Sequence, residues 1–509
     1  MLSTAARVRI EKLAALAFVT ATLGLVVWRG ACVLAGPDID TDAYAHHMIA
    51  RAILKDPSDL AVNWVWLPLF HYIQVPLVLC GGTMTAVRWC NVALAAMTPA
   101  VLFLYVRATA VRGNPSMSPD AAALLAGLIA AACPIAMQMG TTAQPEPLFA
   151  LLVLGVAIAC EKRRHAAGAA MLSAAVMLRY EAWAILAVVA AFAGFDTWRR
   201  PNAERGAGVW WCVALPAALI FGWAALRRPV DGRWFGFLGE THQFAAGALG
   251  AGAERGRGFF GVVGDALYYP VAVPFRVLGP ALALVPFGVA RTVRQQGARF
   301  VGVLSAGLAF ISLTWVMRSS LGLDRHFVSV VPLYACFAAQ GAGAIADGAV
   351  RMARRGGLQA APALWMGRAS GALVSLAVLG GLGVELAVWM GFWKQSIERG
   401  WPERAAVGAY LRSLPASASI FCDDATIEIL SGIDRRRFDR HFIDDPHTWD
   451  IVEDAAERRG VAYIATWSRK LRGHDNAGIV VFRAGQDPSD PGTGVAIMRI
   501  EGDAHSTAR

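Results

Sequence analysis

Charged residues are scarce in this chain of 509 residues, of which Asp, Glu, Lys and Arg together make up only 17%. A soluble domain carries about 25% charged residues, so the deficit excludes an ordinary soluble protein. Hydrophobic residues make up 56%, and long apolar runs recur from residue 12 to residue 393. The first run follows a basic stretch and is longer than a signal peptide, so we expect a retained first helix. The composition is that of a polytopic membrane protein.

Cysteine pairs, phosphate loops and basic stripes are also missing. The eight cysteines form no Cys-x-x-Cys pair, which argues against a disulfide framework or a zinc site. The net charge of +10 comes from basic residues spread through short loops, so we expect no nucleic-acid partner. The sequence contains no Gly-rich phosphate loop and no internal repeat of the kind found in inverted-repeat transporters.

Apolar runs of about 17 residues or more predict membrane-spanning helices. The clear candidates are residues 12–35, 86–106, 119–139, 207–226, 272–290, 300–317, 327–346 and 369–393. Three shorter helices are expected over residues 147–160, 166–179 and 182–198. The total is about eleven transmembrane helices.

Residues 67–82 decide the predicted orientation. The stretch is short and contains Pro68 and Pro76, which favours an interfacial or re-entrant helix over a span. If it does not cross, the basic loops between the later helices all lie on the same side as the basic N-terminus, in agreement with cytoplasmic enrichment of Lys and Arg. We therefore expect a multi-pass protein of the cytoplasmic (inner) membrane with its N-terminus in the cytoplasm.

The chain divides into two predicted domains. Residues 1–393 form the membrane module, with a first external loop at 36–85 and a second, rich in glycine and aromatic residues, at 227–270. Residues 394–509 read as a soluble α/β domain outside the cytoplasm, periplasmic or extracellular. Its expected strands are residues 419–422, 461–465, 478–482 and an edge strand at 495–500, with helices at 405–413, 425–430 and 453–459.

Three carboxylates alternate directly after the first helix, at Asp38, Asp40 and Asp42. Charges at the edge of a bilayer are costly unless solvated or paired, which makes them candidates for function. A carboxylate can act as a general base, and Asp40 and Asp42 are favoured because Asp38 could simply end the helix. Asp40, Asp42 and Glu146 are also the oxygen ligands that a divalent cation, Mg²⁺ or Mn²⁺, would use. The alternative is a solvated loop in which Asp40 or Thr41 caps a helix over residues 42–55.

Further polar residues are expected on the same outer face. Arg179 lies at the apex of a helical hairpin and Arg325 opens a late helix, and guanidinium groups match phosphate in geometry and charge. An internal pair of Arg179 with Glu181 or Glu146 is the alternative. The other candidate substrate-binding residues are Asp38, Tyr44, His46, His71, Glu146, Tyr180, Glu181 and His326.

Several short motifs occur together along residues 10–395. They are Asp42-Ala43-Tyr44 before Ala50-Arg51-Ala52-Ile53-Leu54, then Leu67-Pro68-Leu69-Phe70-His71-Tyr72, Pro145-Glu146-Pro147-Leu148-Phe149 and Arg325-His326-Phe327. With them the chain resembles the GT-C superfamily of polytopic glycosyltransferases that use polyprenyl-phosphate sugars, and especially protein O-mannosyltransferases and lipid A aminoarabinose transferases. The family's adjacent acidic pair is altered, because Thr41 takes one of its places and Asp40 lies one step earlier.

The resemblance implies transfer of a sugar from an undecaprenyl-phosphate or other polyprenyl-phosphate donor to an acceptor hydroxyl of a glycan, lipid or protein outside the membrane. It implies that Asp40 or Asp42 is the base, that Arg179 and Arg325 hold the phosphate, and that the anomeric centre is inverted. Loop 227–270 would cover the site, and the C-terminal domain would present the acceptor or stabilise the outer loops. The alternatives are a secondary transporter, or an enzyme of the O-antigen ligase or polymerase type.

Overall fold

Helices make up most of the chain, as the long apolar runs predict. The computed structural model describes residues 4–109, 116–199, 208–249, 258–422, 424–433, 437–439, 461–467, 478–485 and 494–500. Up to residue 399 the helices are, in chain order, α1 (Thr4–Ala35), α2 (Thr41–Lys55), α3 (Leu69–Leu79), α4 (Met84–Thr109), α5 (Pro119–Ala132), α6 (Pro134–Met139), α7 (Glu146–Glu161), α8 (His165–Val176), α9 (Glu181–Arg199), α10 (Gly208–Asp231), α11 (Gly236–Leu249), α12 (Phe259–Leu267), α13 (Val273–Leu278), α14 (Val285–Gln296), α15 (Ala298–Val316), α16 (Val331–Arg355) and α17 (Ala360–Arg399).

Eight helical stretches within the described ranges are long and apolar enough to cross a membrane. They are Lys12–Ala35, Met84–Thr109, Glu181–Arg199, Gly208–Asp231, Phe259–Gln296, Ala298–Val316, Asp324–Arg355 and Ala360–Ser413. The protein is therefore a polytopic helical membrane protein, while the count of about eleven spans stays a prediction. Helix α3 has 11 residues and, at about 1.5 Å per residue, is too short to cross by itself.

Prolines break two of the predicted helices. Residues 119–139 were expected to form one helix, but α5 stops at Ala132 because Cys133, which precedes Pro134, is extended with ψ 120°. Residues 272–290 are likewise divided into α13, a 3-10 turn over Gly279–Leu284 and α14. Gly279 has φ +47° at this division, a conformation that favours glycine. The sequence-based expectation of continuous helices is wrong at both places.

The stretch predicted as loop 227–270 is largely helical where the structure describes it. Helix α10 continues to Asp231, and α11 and α12 follow. Residues 250–257 lie outside the described residues. The aromatic residues that suggested a mobile cover pack in part into a cluster, in which Phe237 is buried against Leu67 and Trp223. A role for this stretch as a cover stays a prediction.

The predicted division of residues 166–198 is confirmed, because α8 ends at Val176 and α9 begins at Glu181. The two helices are joined by a turn whose backbone bonds include Leu178 N–H to the Ala175 carbonyl, at 3.0 Å. This turn is what places Arg179 at a helix end rather than within a span. Helix α7 packs against α8 and against the 3-10 turn over Asp324–Val330, which brings the starts of α7, α9 and this turn together.

Contacts between residues divide the chain into two units. One, here called the membrane unit, comprises Met1–Ala35 and Ile53–Gln395; the other, the tail unit, comprises Gly36–Ala52 and Ser396–Arg509. The acidic segment at residues 38–42 thus groups with the C-terminal domain. The predicted domain boundary at residue 394 stays a prediction, and the inclusion of residues 36–52 in the tail unit is a feature that local sequence did not indicate.

The tail unit contains a small α/β domain, as expected. Its elements are α18 (Pro402–Ser413), β1 (Ile420–Cys422), α19 (Ala425–Ser431), β2 (Phe438–Asp439), β3 (Tyr463–Trp467), β4 (Gly478–Ala484) and β5 (Val495–Ile500). The sheet order is β2-β1-β3-β5-β4, with β1 parallel to both neighbours and β5 antiparallel to both of its own. The predicted helix at 453–459 lies outside the described residues.

Strand β5 is not the edge strand that the sequence suggested. It pairs with β3 on one side and β4 on the other, and its first four residues are buried. An uninterrupted apolar run such as Val495-Ala496-Ile497-Met498 is typical of a strand that is covered on both faces. The core of the domain forms where α18 and α19 pack on this sheet, through Val407, Leu411 and Ile427.

Candidate functional site

Glu146 is fixed at the first position of α7 by its two neighbouring prolines. Pro145 and Pro147 both suit the start of a helix, where a backbone N–H is not needed. A carboxylate in the first turn is stabilised by the positive end of the helix dipole. Glu146 is nevertheless only 2% exposed, so its charge requires partners inside the protein.

Arg179 is the main partner of Glu146. Its Nη1 lies 2.6 Å from Glu146 Oε1, and its Nη2 lies 2.9 Å from Glu181 Oε1. The Arg179 Nε also donates to Glu181 Oε1, at 3.1 Å. Burial alone lowers the pKa of the Arg179 guanidinium, but the carboxylates of Glu181 and Glu146 outweigh burial and raise that pKa above its ordinary value. Arg179 therefore stays charged.

Arg325 and His326 complete the group from the 3-10 turn before α16. Arg325 Nε lies 3.6 Å from Glu146 Oε1, and His326 Nδ1 lies 3.3 Å from Glu181 Oε1. His326 Nδ1 is also 3.3 Å from Arg179 Nη2. We call Glu146, Arg179, Glu181, Arg325 and His326 the charge cluster. Three separate helix ends, far apart in sequence, supply its side chains.

The two signs of charge are exposed unequally within the charge cluster. The carboxylate side chains of Glu146 and Glu181 are 3% and 5% exposed, whereas those of Arg179, Arg325 and His326 are 13%, 15% and 19% exposed. With His326 neutral, the two arginines and two glutamates balance. The cationic side chains are therefore the more exposed members of a group whose charges balance.

The internal ion pair expected as the alternative role of Arg179 is present, because Glu146 and Glu181 both bind its guanidinium. This does not exclude a phosphate, because a guanidinium has five N–H donors and can serve several acceptors. Whether the charge cluster binds substrate stays a prediction.

Two buried residues that the sequence reasoning missed hold the loop before Glu146. Arg88 Nε donates to the Thr141 carbonyl at 2.7 Å, and Asn91 Nδ2 donates to the carbonyls of Thr142 and Gln144 at 2.7 Å each. Both side chains project from α4 and are less than 3% exposed. Polar residues inside an apolar helix were the available signal.

Tyr180 and His71, both predicted to bind substrate, make structural contacts. The Tyr180 hydroxyl donates to the Val65 carbonyl at 2.6 Å, and burial raises the pKa of Tyr180. His71 is fully buried, with Nδ1 2.7 Å from Asn63 Oδ1. These contacts hold the segment between α2 and α3, and the predicted binding roles stay untested.

The acidic segment lies in the tail unit and is a series of turns that leads into α2. Asp38 is buried, and its Oδ1 accepts the Asp40 N–H at 3.0 Å. Asp40 Oδ1 accepts the Asp42 N–H at 3.1 Å, which is the contact of a helix N-cap. The Tyr44 hydroxyl donates to the Asp38 carbonyl at 2.9 Å.

These contacts separate the three aspartates by environment. Asp38 is buried, whereas Asp40 and Asp42 are partly exposed. His46, in the second turn of α2, is buried. The preference for Asp40 or Asp42 as the base stays a prediction.

The expected divalent-cation site stays a prediction, and the described residues give it no support. Among the described residues, no three His, Cys, Asp or Glu side chains gather as ligands for an ion. Glu146, one of the three expected ligands, is already bound by Arg179 at 2.6 Å, and a guanidinium there competes with a cation. We therefore derive no step that passes through a metal.

Comparison with known proteins shows the fold. No protein-family profile matches the chain, and no curated protein matches its sequence. The structure of ArnT from Cupriavidus metallidurans bound to undecaprenyl phosphate is 14% identical, and the match covers 95% of this chain and 97% of that one with a TM-score of 0.58. The Archaeoglobus fulgidus oligosaccharyltransferase tethered with an acceptor peptide is 12% identical, with 90% and 70% covered and a TM-score of 0.53. The chain has the GT-C fold that these two proteins share, which confirms the expected fold class.

Proposed function

We propose, from the GT-C fold, that this protein is a membrane glycosyltransferase that moves a sugar from a polyprenyl-phosphate donor to an acceptor hydroxyl. Two structures with the same fold were determined with an undecaprenyl phosphate and with an acceptor peptide, which supports a lipid-linked donor and a separate acceptor. The acceptor is a glycan, a lipid or a protein. The reaction takes place on the outer face of the cytoplasmic membrane.

The charge cluster is the proposed phosphate site. The observation that carries this assignment is that Arg179, Arg325 and His326 are more exposed than the two carboxylates that they contact. A sugar phosphodiester has one negative charge, and the released phosphate monoester approaches two. Cations held in place by buried carboxylates stabilise this increase without reorganising, which is where electrostatic catalysis is strongest.

Asp40 or Asp42 is the proposed general base. As the acceptor oxygen attacks the anomeric carbon, its proton passes to the carboxylate, the bond from that carbon to the phosphate oxygen breaks, and polyprenyl phosphate leaves with the electron pair. A single displacement of this kind inverts the anomeric centre. A positioned base contributes roughly 10²–10⁴-fold to such a step.

The experiment uses the full-length protein in proteoliposomes with a polyprenyl-phosphate sugar and a cell-envelope extract as acceptor. We expect polyprenyl phosphate to be released, as measured by mass spectrometry, and the double variant Asp40→Asn/Asp42→Asn to bind donor without turnover. Full turnover by the double variant would contradict the assigned base. Movement of intact donor across the membrane without cleavage would identify a transporter instead.

Lipid analysis of a deletion strain identifies the substrates. We expect one polyprenyl-phosphate sugar to accumulate and one glycan decoration to disappear. A strain that instead accumulates an undecorated lipid-linked polymer would favour the ligase or polymerase class.

A further inference from the structure

Trp401 connects the acidic segment to the C-terminal domain within the tail unit. It lies in the turn between α17 and α18, and its indole Nε1 donates to the Asp38 carbonyl at 2.8 Å. The same carbonyl accepts the Tyr44 hydroxyl at 2.9 Å. The two sequence positions joined by the Trp401 bond are 363 residues apart. The Asp38 carbonyl, two residues before Asp40, thus accepts two hydrogen bonds, one from Tyr44 of α2 and one from Trp401 before α18.

Arg404 fixes the indole ring from the other side. Its guanidinium carbon lies 3.7 Å from the centre of the Trp401 ring, which is a close cation–π contact. Arg404 Nε donates to Asp424 Oδ2 at 2.7 Å, and the Arg404 side chain is 2% exposed. A buried guanidinium needs a charged partner, so the Arg404–Asp424 pair cannot be separated without leaving a buried charge.

Asp424 anchors the chain of contacts in the α/β domain. Its Oδ1 accepts the Thr426 N–H at 2.8 Å and caps α19, directly after strand β1. One carboxylate therefore binds Arg404 with one oxygen and a helix N-terminus with the other. The Trp401 indole is therefore linked to the folded α/β domain through Arg404 and Asp424.

The contacts of Trp401, Arg404 and Asp424 do more than connect the α/β domain to the rest of the tail unit. The apolar core of the domain is formed by other residues, among them Val407, Leu411 and Ile420. The Trp401 bond ends instead on the carbonyl two residues before Asp40, whose carboxylate caps α2. A change of the Asp38 peptide orientation moves the Asp40 N–H and the side chains that follow it.

We propose that Trp401 is a positioning residue that holds the acidic segment in its reactive geometry through the Asp38 carbonyl, with Arg404 and Asp424 fixing the indole. This inference rests on the proposed function, in which Asp40 or Asp42 is the base. The C-terminal domain is then part of the catalytic apparatus rather than an acceptor-binding accessory.

The test is Trp401→Phe, which removes the indole N–H and leaves an aromatic ring against Arg404. We expect kcat to fall about tenfold, equivalent to about 1.4 kcal/mol, with the KM for the donor lipid unchanged. The matched control is Tyr410→Phe, which removes a hydroxyl from a tail aromatic ring stacked on Phe482. We expect this control to keep the kcat of the unmodified protein.

A second measurement does not depend on activity. Hydrogen exchange of the full-length protein in detergent micelles reports on the peptide over residues 38–44 and on strand β3. We expect Trp401→Phe to accelerate hydrogen exchange at residues 38–44 but not in strand β3. We expect Tyr410→Phe to accelerate exchange selectively in neither segment. Unchanged exchange at residues 38–44 overturns the inference.

The outcomes separate the two proposals. If the unmodified protein releases polyprenyl phosphate and Trp401→Phe does so at the same kcat, this inference fails and the proposed function stands. If the unmodified protein turns over no polyprenyl-phosphate sugar, the proposed function fails. If Trp401→Phe lowers donor affinity and kcat together and also accelerates hydrogen exchange in β3, the variant has lost its fold. This result overturns a positioning role.

Discussion

Arg179 is the residue on which the proposed phosphate site depends most, because its guanidinium binds two glutamates and contacts His326. A lysine cannot reproduce these contacts, since its ammonium is a single point and not a planar fork. Hydrogen bonds to charged groups are worth about 1.5–3 kcal/mol. We expect Arg179→Lys to lower kcat/KM for the donor roughly tenfold to a hundredfold.

Arg107→Lys is the matched control for Arg179→Lys. Arg107 also binds a carboxylate, Asp120, at 2.7 Å, but its side chain is 37% exposed. Exposed ion pairs contribute about 0–1 kcal/mol, so we expect nearly unchanged kinetics. Equal kcat/KM values for the two variants would show that Arg179 has no role in binding the donor.

The start of α2 allows helix capping and catalysis to be separated. Asparagine caps a helix as well as aspartate does, whereas alanine loses about 1 kcal/mol of stability at this position. If Asp40 is the base, we expect Asp40→Asn to keep the melting temperature but lose about a hundredfold or more in kcat, and Asp40→Ala to lose both. If Asp40→Asn retains turnover and Asp42→Asn loses it, Asp42 is the base; turnover retained in both and in the double variant contradicts either assignment.

At the level of elements, sequence patterns located most helices but not their interruptions. The hairpin at Arg179 was predicted because a polar triplet divides a run that is too long for one span. The break at Cys133 was not, because Pro134 lies inside an uninterrupted apolar run whose hydropathy conceals the backbone restriction. Strand β5 was misplaced at the sheet edge because strand order depends on pairing between distant segments.

The same limit applies to the candidate site. Glu146, Arg179 and Arg325 could be named from sequence because each follows a proline or lies at one end of an apolar run, on the expected outer face. Arg404 and Trp401 could not, because their partners lie 20 and 363 residues away and no local pattern indicates a contact. Charges at helix ends are visible in a sequence, whereas the residues that hold backbone carbonyls are not.

For the whole molecule, we propose a reaction that does not require a bound metal. Glu146 is engaged by Arg179, and the cations Arg179 and Arg325 supply the charge that a divalent ion would otherwise bring to the phosphate. We expect turnover in proteoliposomes to be unchanged after treatment with EDTA. A loss of turnover that Mg²⁺ or Mn²⁺ restores would show that a cation is required and that the ligand set includes residues beyond the charge cluster.

The orientation of the whole chain is predicted from the basic residues and can be tested with single cysteines. Lys162, Arg163 and Arg164 lie between α7 and α8, and Arg351, Arg354 and Arg355 lie at the end of α16; the positive-inside rule predicts that both groups are cytoplasmic. In a cysteine-free background, Ser417→Cys lies in the tail unit and Gln359→Cys lies between α16 and α17, and both positions are exposed. We expect an impermeant maleimide to label Ser417→Cys in intact cells, and Gln359→Cys only after permeabilisation. The reverse pattern would place the acidic segment in the cytoplasm, where a donor displayed on the outer face cannot reach it.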